Sequence, residues 1–141
     1  MIYRRCSRLV ATCVVAATPF FSTAVFAEGL DGSSNIVCAV MKIVACLEDG
    51  DCLEGQPGSF DLPTFVILDA KDKVIRGTYE DGHKAVSPVK NMEHTGDNLV
   101  LQGVENSRGW SIAINTKSGK MNASGVGDGV SFLAQGACTA P

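Results

Sequence analysis

The sequence has only two histidines, His83 and His94, and no serine in a G-x-S-x-G setting. A Ser-His-Asp hydrolase presents its serine beside a histidine, often on such an elbow, so that chemistry has no foothold here. Both histidines border turn residues and read as surface groups, and their spacing does not form the helical H-E-x-x-H pattern of a zinc site. Phosphate loops are missing too. Gly125-Val126-Gly127-Asp128-Gly129 has Val130 where G-x-G-x-x-G needs its third glycine, and a strand rather than a helix is expected to follow. Ser118-Gly119-Lys120 lacks the upstream glycine and the downstream hydroxyl of a P-loop. The acidic turns around Asp49-Asp51 and Asp69-Asp72 do not compose an EF-hand loop. No catalytic residue, metal ligand set or cofactor is expected.

Positive charge is also scarce, and it is concentrated at the start. Arg4, Arg5 and Arg8 precede an apolar run from Leu9 to Ala17, followed by small and apolar residues up to Val25-Phe26-Ala27. This order predicts a secretory signal peptide over residues 1–27, cleaved most simply between Ala27 and Glu28. The apolar run is well short of the roughly 20 residues of a spanning helix, so residues 28–141 are expected to carry no transmembrane segment. Those residues form one domain. They hold nine basic against fifteen acidic residues, a formal charge of −6 that argues against nucleic acid and anionic membrane as partners.

Four cysteines remain after residue 27: Cys38, Cys46, Cys52 and Cys138. Their spacings of seven, five and eighty-five intervening residues contain no C-x2-C pair, which argues against a four-thiolate metal site. In an exported domain they predict two disulfides. Glu48-Asp49-Gly50 has the form of a three-residue hairpin loop, which places Cys46 opposite Cys52 and leaves Cys38 to pair with Cys138. Residues 36–47 also fit a helix, since Val37, Val40, Met41 and Val44 fall at helical spacing. The following turn favours a strand.

Residues 28–35 are mostly small and polar and read as a flexible entry. Beyond the 53–62 loop, which holds Gly55, Pro57 and Gly58, the pattern is consistently β. Short strands are expected over 64–69, 73–79, 86–93, 99–105, 110–115, 120–126 and 130–135, with turn-forming residues between them. Pro88 demotes 86–93 to an edge or a bulge. The predicted fold is an all-β antiparallel meander of about 7–9 short strands, closed as a small barrel or strongly curled, with two disulfides.

The sole tryptophan lies in one of these strands. Trp110, Ile112 and Ile114 alternate with Ser111, Ala113 and Asn115, so the apolar set shares a face that Leu99 and Leu101 can cover. Trp110 is expected as a core plug near the barrel end. The functional alternative makes it a pocket floor, with Arg108 at the rim holding an anion.

Several motifs recur together in this chain. They are the cysteines Cys38, Cys46 and Cys52; Leu62, Pro63, Phe65 and Asp69 in "LP-x-F-x3-D"; and Leu101, Gln102, Gly103, Glu105, Arg108, Trp110 and Ser111 in "LQG-x-E-x-x-R-x-W-S". Ser118, Gly119, Lys120 and Met121 follow the pattern "TG-x-M" with serine for threonine, and Phe132, Gly136, Ala137 and Cys138 close the chain. With these motifs the sequence resembles a family of small exported proteobacterial proteins. The resemblance implies export and paired cysteines and brings no activity with it. The expected role is a non-enzymatic binding module, periplasmic or secreted, for a small ligand or an envelope protein. The competing readings are an interaction or inhibitor module acting through loops such as 53–62, and a hydrolase using carboxylates gathered at one barrel end.

Overall fold

A computed structural model describes residues 29–141. The expected signal segment 1–27 and its expected cleavage site lie outside these residues. Nine strands follow in order: β1 (Ile36–Cys46), β2 (Cys52–Gly55), β3 (Phe65–Asp69), β4 (Val74–Thr78), β5 (Lys84–Thr95), β6 (Asn98–Glu105), β7 (Arg108–Asn115), β8 (Lys120–Gly127) and β9 (Val130–Thr139). Every pairing is antiparallel, and β9 returns to β1, so eight strands close into a barrel with β2 as an extra strand outside the ring. The first segment is a strand, and the helical alternative is set aside.

Strand β1 makes closure possible. One edge pairs with β9 from Val37↔Thr139 to Cys46↔Ser131. The other is divided between β3, opposite Ile36–Ala39, and β2, opposite Ile43–Cys46. A register shift between Val40 and Lys42 bulges Met41 outward and bends the strand around the ring. Both disulfides form between directly opposed residues: Cys46↔Cys52 staples the first hairpin, and Cys38↔Cys138 spans the closing seam. Pro88 sits in an interior strand, and the register of β5 against β6 shifts just after it, between Val89 and Asn91. Pro88 itself pairs only with Val74 of β4, and pairing to β6 begins at Val89, so the proline sits where one ladder ends and the next, bulged one begins.

Three expectations are corrected. Part of the 53–62 loop is the strand β2, because Leu53–Gly55 continues the ladder begun at the Cys46–Cys52 pair. The last strand runs to Thr139 instead of stopping at Gln135, since β1 and β8 both pair with its final residues. The polar-looking segment before β1 is not a flexible lead-in. Leu30 is 1% exposed and plugs one end of the barrel. Asp31 holds the segment by accepting bonds from the Ser33 backbone N–H and hydroxyl, and its carbonyl lies 2.8 Å from His94 Nε2.

The core occupies that plugged end. Leu30, Ile36, Leu68, Leu99, Leu101, Ile114 and Met121 pack there with the Cys38–Cys138 disulfide. Leu99 faces Ile114 and Leu101 faces Ile112 across the β6–β7 ladder, as the period-two pattern predicted. Among the described residues no helix is long and apolar enough to cross a membrane.

Candidate functional site

At the other end the barrel is not filled. A ring of inward positions alternates small and large: Gly103 on β6, Trp110 on β7, Gly125 on β8, Phe132 on β9 and Ala45 on β1, each the registered neighbour of the next. The rings lie over the glycines, so a Cβ at Gly103 would overlap Trp110 and a Cβ at Gly125 would overlap Phe132. Such alternation is how a narrow barrel accommodates aromatic side chains. It leaves a cavity of about 220 Å³ between this ring and the core.

The inner wall is apolar, with Val40, Ile43, Val66, Ile75, Ile112 and Ala123 among its lining residues. The connector over residues 56–64 contributes Leu62 and Pro63 to the same lining. A short 3-10 turn over Pro57–Phe60 shapes this connector, and Asp61 follows in the left-handed region at φ 50°. The connector sits close because glycines receive it. Pro63 Cγ would lie 2.7 Å from a Cβ at Gly77, and the Phe60 ring would lie 3.1 Å from one at Gly55. A second cavity of about 360 Å³ shares Ile43, Leu62, Tyr79, Arg108 and Phe132 with the first, and adds Phe60, Asp61 and Val126. The shared residues make it an outer vestibule to the inner chamber.

Trp110 is half-buried and has two neighbourhoods. It packs against the core cluster and lines the cavity. Its indole N–H donates to Ser87 Oγ at 2.8 Å, and Ser87 is itself buried at 6% exposure. Trp110 is therefore a wall between core and cavity, combining parts of both expected roles, and the floor falls to Met121 and Val40.

Arg108 stands at the mouth, where the Asn106-Ser107 turn begins β7. Both turn residues have positive φ (46° and 62°), the geometry of a tight two-residue hairpin. The pairing therefore continues to Glu105↔Arg108, which brings both ionic side chains to the cavity lining. Arg108 Nε lies 3.4 Å from Asp128 Oδ2 on the neighbouring β8–β9 turn.

Tyr79, Glu105 and Phe132 were not expected as site residues, although Glu105 and Phe132 belong to the motifs above, and all three line the cavity. Burial raises the Tyr79 phenol above the ordinary tyrosine value; the charges of Glu105 and Asp61 raise it further, while Arg108 opposes them. Tyr79 also stacks on the His83 ring, with centroids 3.9 Å apart. A usable signal did exist: Gly77, Gly103 and Gly125 all fall on the inward phase of their strands, where a missing side chain makes room for a neighbour.

Asp31, Asp69 and Asp81 are held below the ordinary carboxylate range, chiefly by the Ser33 side chain, the Asp72 backbone N–H and the His83 backbone N–H respectively. Among the described residues no group of three or more His, Cys, Asp or Glu side chains is placed to hold a metal ion. No family model, curated protein or solved structure matches the chain.

Proposed function

We propose that the protein is an exported, non-enzymatic binding module, periplasmic or secreted, that holds one small apolar ligand in the open end of its barrel. The observation that carries this reading is the chamber itself, with an apolar inner wall, the core below it and Leu62 and Pro63 of the connector in its lining. Its volume of about 220 Å³ falls between the roughly 150 Å³ of a cavity that takes benzene and the roughly 300 Å³ at which drug-sized pockets begin. A ligand with one ring or a short chain matches that size. Export is supported by the basic-then-apolar leader and by the two disulfides, which persist in oxidising compartments.

Trp110 provides the assay, because it is the only tryptophan and lies in the chamber wall. Cyclohexylmethanol, a neutral single-ring compound, is expected to change its emission saturably and to raise the melting temperature. Ala123→Leu places a larger side chain in the chamber and should abolish that response without lowering the melting temperature. No saturable response from the wild-type protein, with this or other neutral single-ring and short-chain compounds, would sink the proposal.

A further inference from the structure

The up-and-down topology sends every second loop of the ring to the same end of the barrel, the β1–β2 hairpin loop outside the ring joins them there, and the resulting distribution of charge is uneven. The loops around the mouth are residues 47–51, 56–64, 79–84, 105–108 and 127–130. Together they hold eight carboxylates against two cations, Lys84 and Arg108, a formal excess of six negative charges. The rest of the described chain holds six carboxylates against seven cations and is close to neutral. The acidity of the whole domain is thus gathered around one opening, and that opening leads into an apolar chamber.

Arg108 does not reverse this at the mouth. Asp128 meets its charge at 3.4 Å, and Glu105 is its cross-strand partner. Burial is the main cause of the raised Tyr79 phenol, and the Glu105 and Asp61 carboxylates add to it against the opposing charge of Arg108. Tyr79, Trp110 and Phe132 also present aromatic surface in the same chamber. Aromatic faces and nearby carboxylates together favour a desolvated cation over an anion.

We infer that the ligand of this chamber is amphiphilic, with an apolar body and a cationic, ammonium-type head held at the mouth by Glu105 and its neighbouring carboxylates. This inference rests on the binding role proposed above and assigns the chemistry of the head. Carboxylates around the opening draw the head inward and repel anions, while the apolar wall takes the body.

The test uses three matched compounds: cyclohexylmethylammonium, cyclohexylmethanol and cyclohexanecarboxylate, each titrated against the purified protein by Trp110 emission. The ammonium should bind most tightly and the carboxylate least, with roughly tenfold or more between them at low salt, if several carboxylates each act at the strength of an exposed pair. The difference should shrink as ionic strength rises. Glu105→Gln should weaken the ammonium by roughly two- to fivefold and the alcohol by less. Equal binding of all three, or tightest binding of the carboxylate, overturns the cationic head while the binding role stands. Failure of all three to bind overturns both. Loss of alcohol binding together with ammonium binding in Glu105→Gln would show that the side chain shapes the chamber rather than reading charge, and would also overturn the inference.

Discussion

Trp110→Ala is the most informative single perturbation, because the residue divides core from cavity. Complete removal of a large aromatic from a packed core costs about 3–5 kcal/mol. Two features of the structure pull in opposite directions from that range. Trp110 is only half-buried, and the space it vacates merges with an existing chamber, which lowers the cost. Its loss also leaves the Ser87 hydroxyl, 6% exposed, without its donor, which adds about 1 kcal/mol or more unless water enters the enlarged chamber. The expected net cost is about 3 kcal/mol. For a domain of this size that lowers the melting temperature by roughly 12 °C, at about 4 °C per kcal/mol. Trp110→Phe keeps most of the packing over Gly103 and loses the hydrogen bond, so it should cost about 1 kcal/mol. Thermal unfolding followed by circular dichroism under non-reducing conditions checks both. A Trp110→Ala protein that melts within a few degrees of wild type would refute the view of Trp110 as a structural wall.

The two disulfides should contribute unequally. In the chain-entropy account, Cys38–Cys138 at a separation of 100 gives about 4–5 kcal/mol and Cys46–Cys52 at a separation of 6 gives about 2 kcal/mol. Denaturant unfolding of the paired alanine variants measures each, and equal losses would contradict that ranking. Leu30→Ala should cost about 2–5 kcal/mol despite its place only six residues before β1, and a loss under 1 kcal/mol would show that the barrel end is not plugged by it. Tyr79 is the only tyrosine beyond residue 3, so ultraviolet titration of residues 28–141 isolates it. Its folded value is raised, so the associated stability is intact below the ordinary tyrosine value near 10 and is lost as pH rises through the higher folded value. Glu105→Gln should bring the titration down toward that ordinary value. An unchanged curve would mean that the Glu105 charge does not reach the chamber.

The local features of this fold were legible along the chain because each has a short-range cause. Alternation at Trp110, Ile112 and Ile114 marks an inward face, since successive side chains of a strand point to opposite sides. The hairpin around Glu48-Asp49-Gly50 set Cys46 against Cys52, and elimination then joined Cys38 to Cys138; both pairs are present. Prolines and turn residues marked most strand ends. The end of β9 was missed because its closing residues, Gly136-Ala137-Cys138-Thr139, show little periodicity. Their pairing depends on β1, nearly a hundred residues earlier in the chain.

The site itself depends on such distant neighbours. Arg108 was visible as an ionic residue beside Trp110, but its partner Asp128 belongs to another hairpin and meets it only once β7 and β8 are registered. Leu62 read as the end of a loop and Pro63 as the residue before a strand, and both became chamber lining because Gly77 leaves room for the connector to settle. Composition alone made the chain acidic, while the antiparallel order of the strands gathered that charge at one opening. Pattern and turn chemistry act over a few residues, so sequence determined the strands, the hairpins and the number of disulfides. Closure, cavity and electrostatic polarity arise from packing residues far apart in the chain, and only the closed barrel brings those residues together.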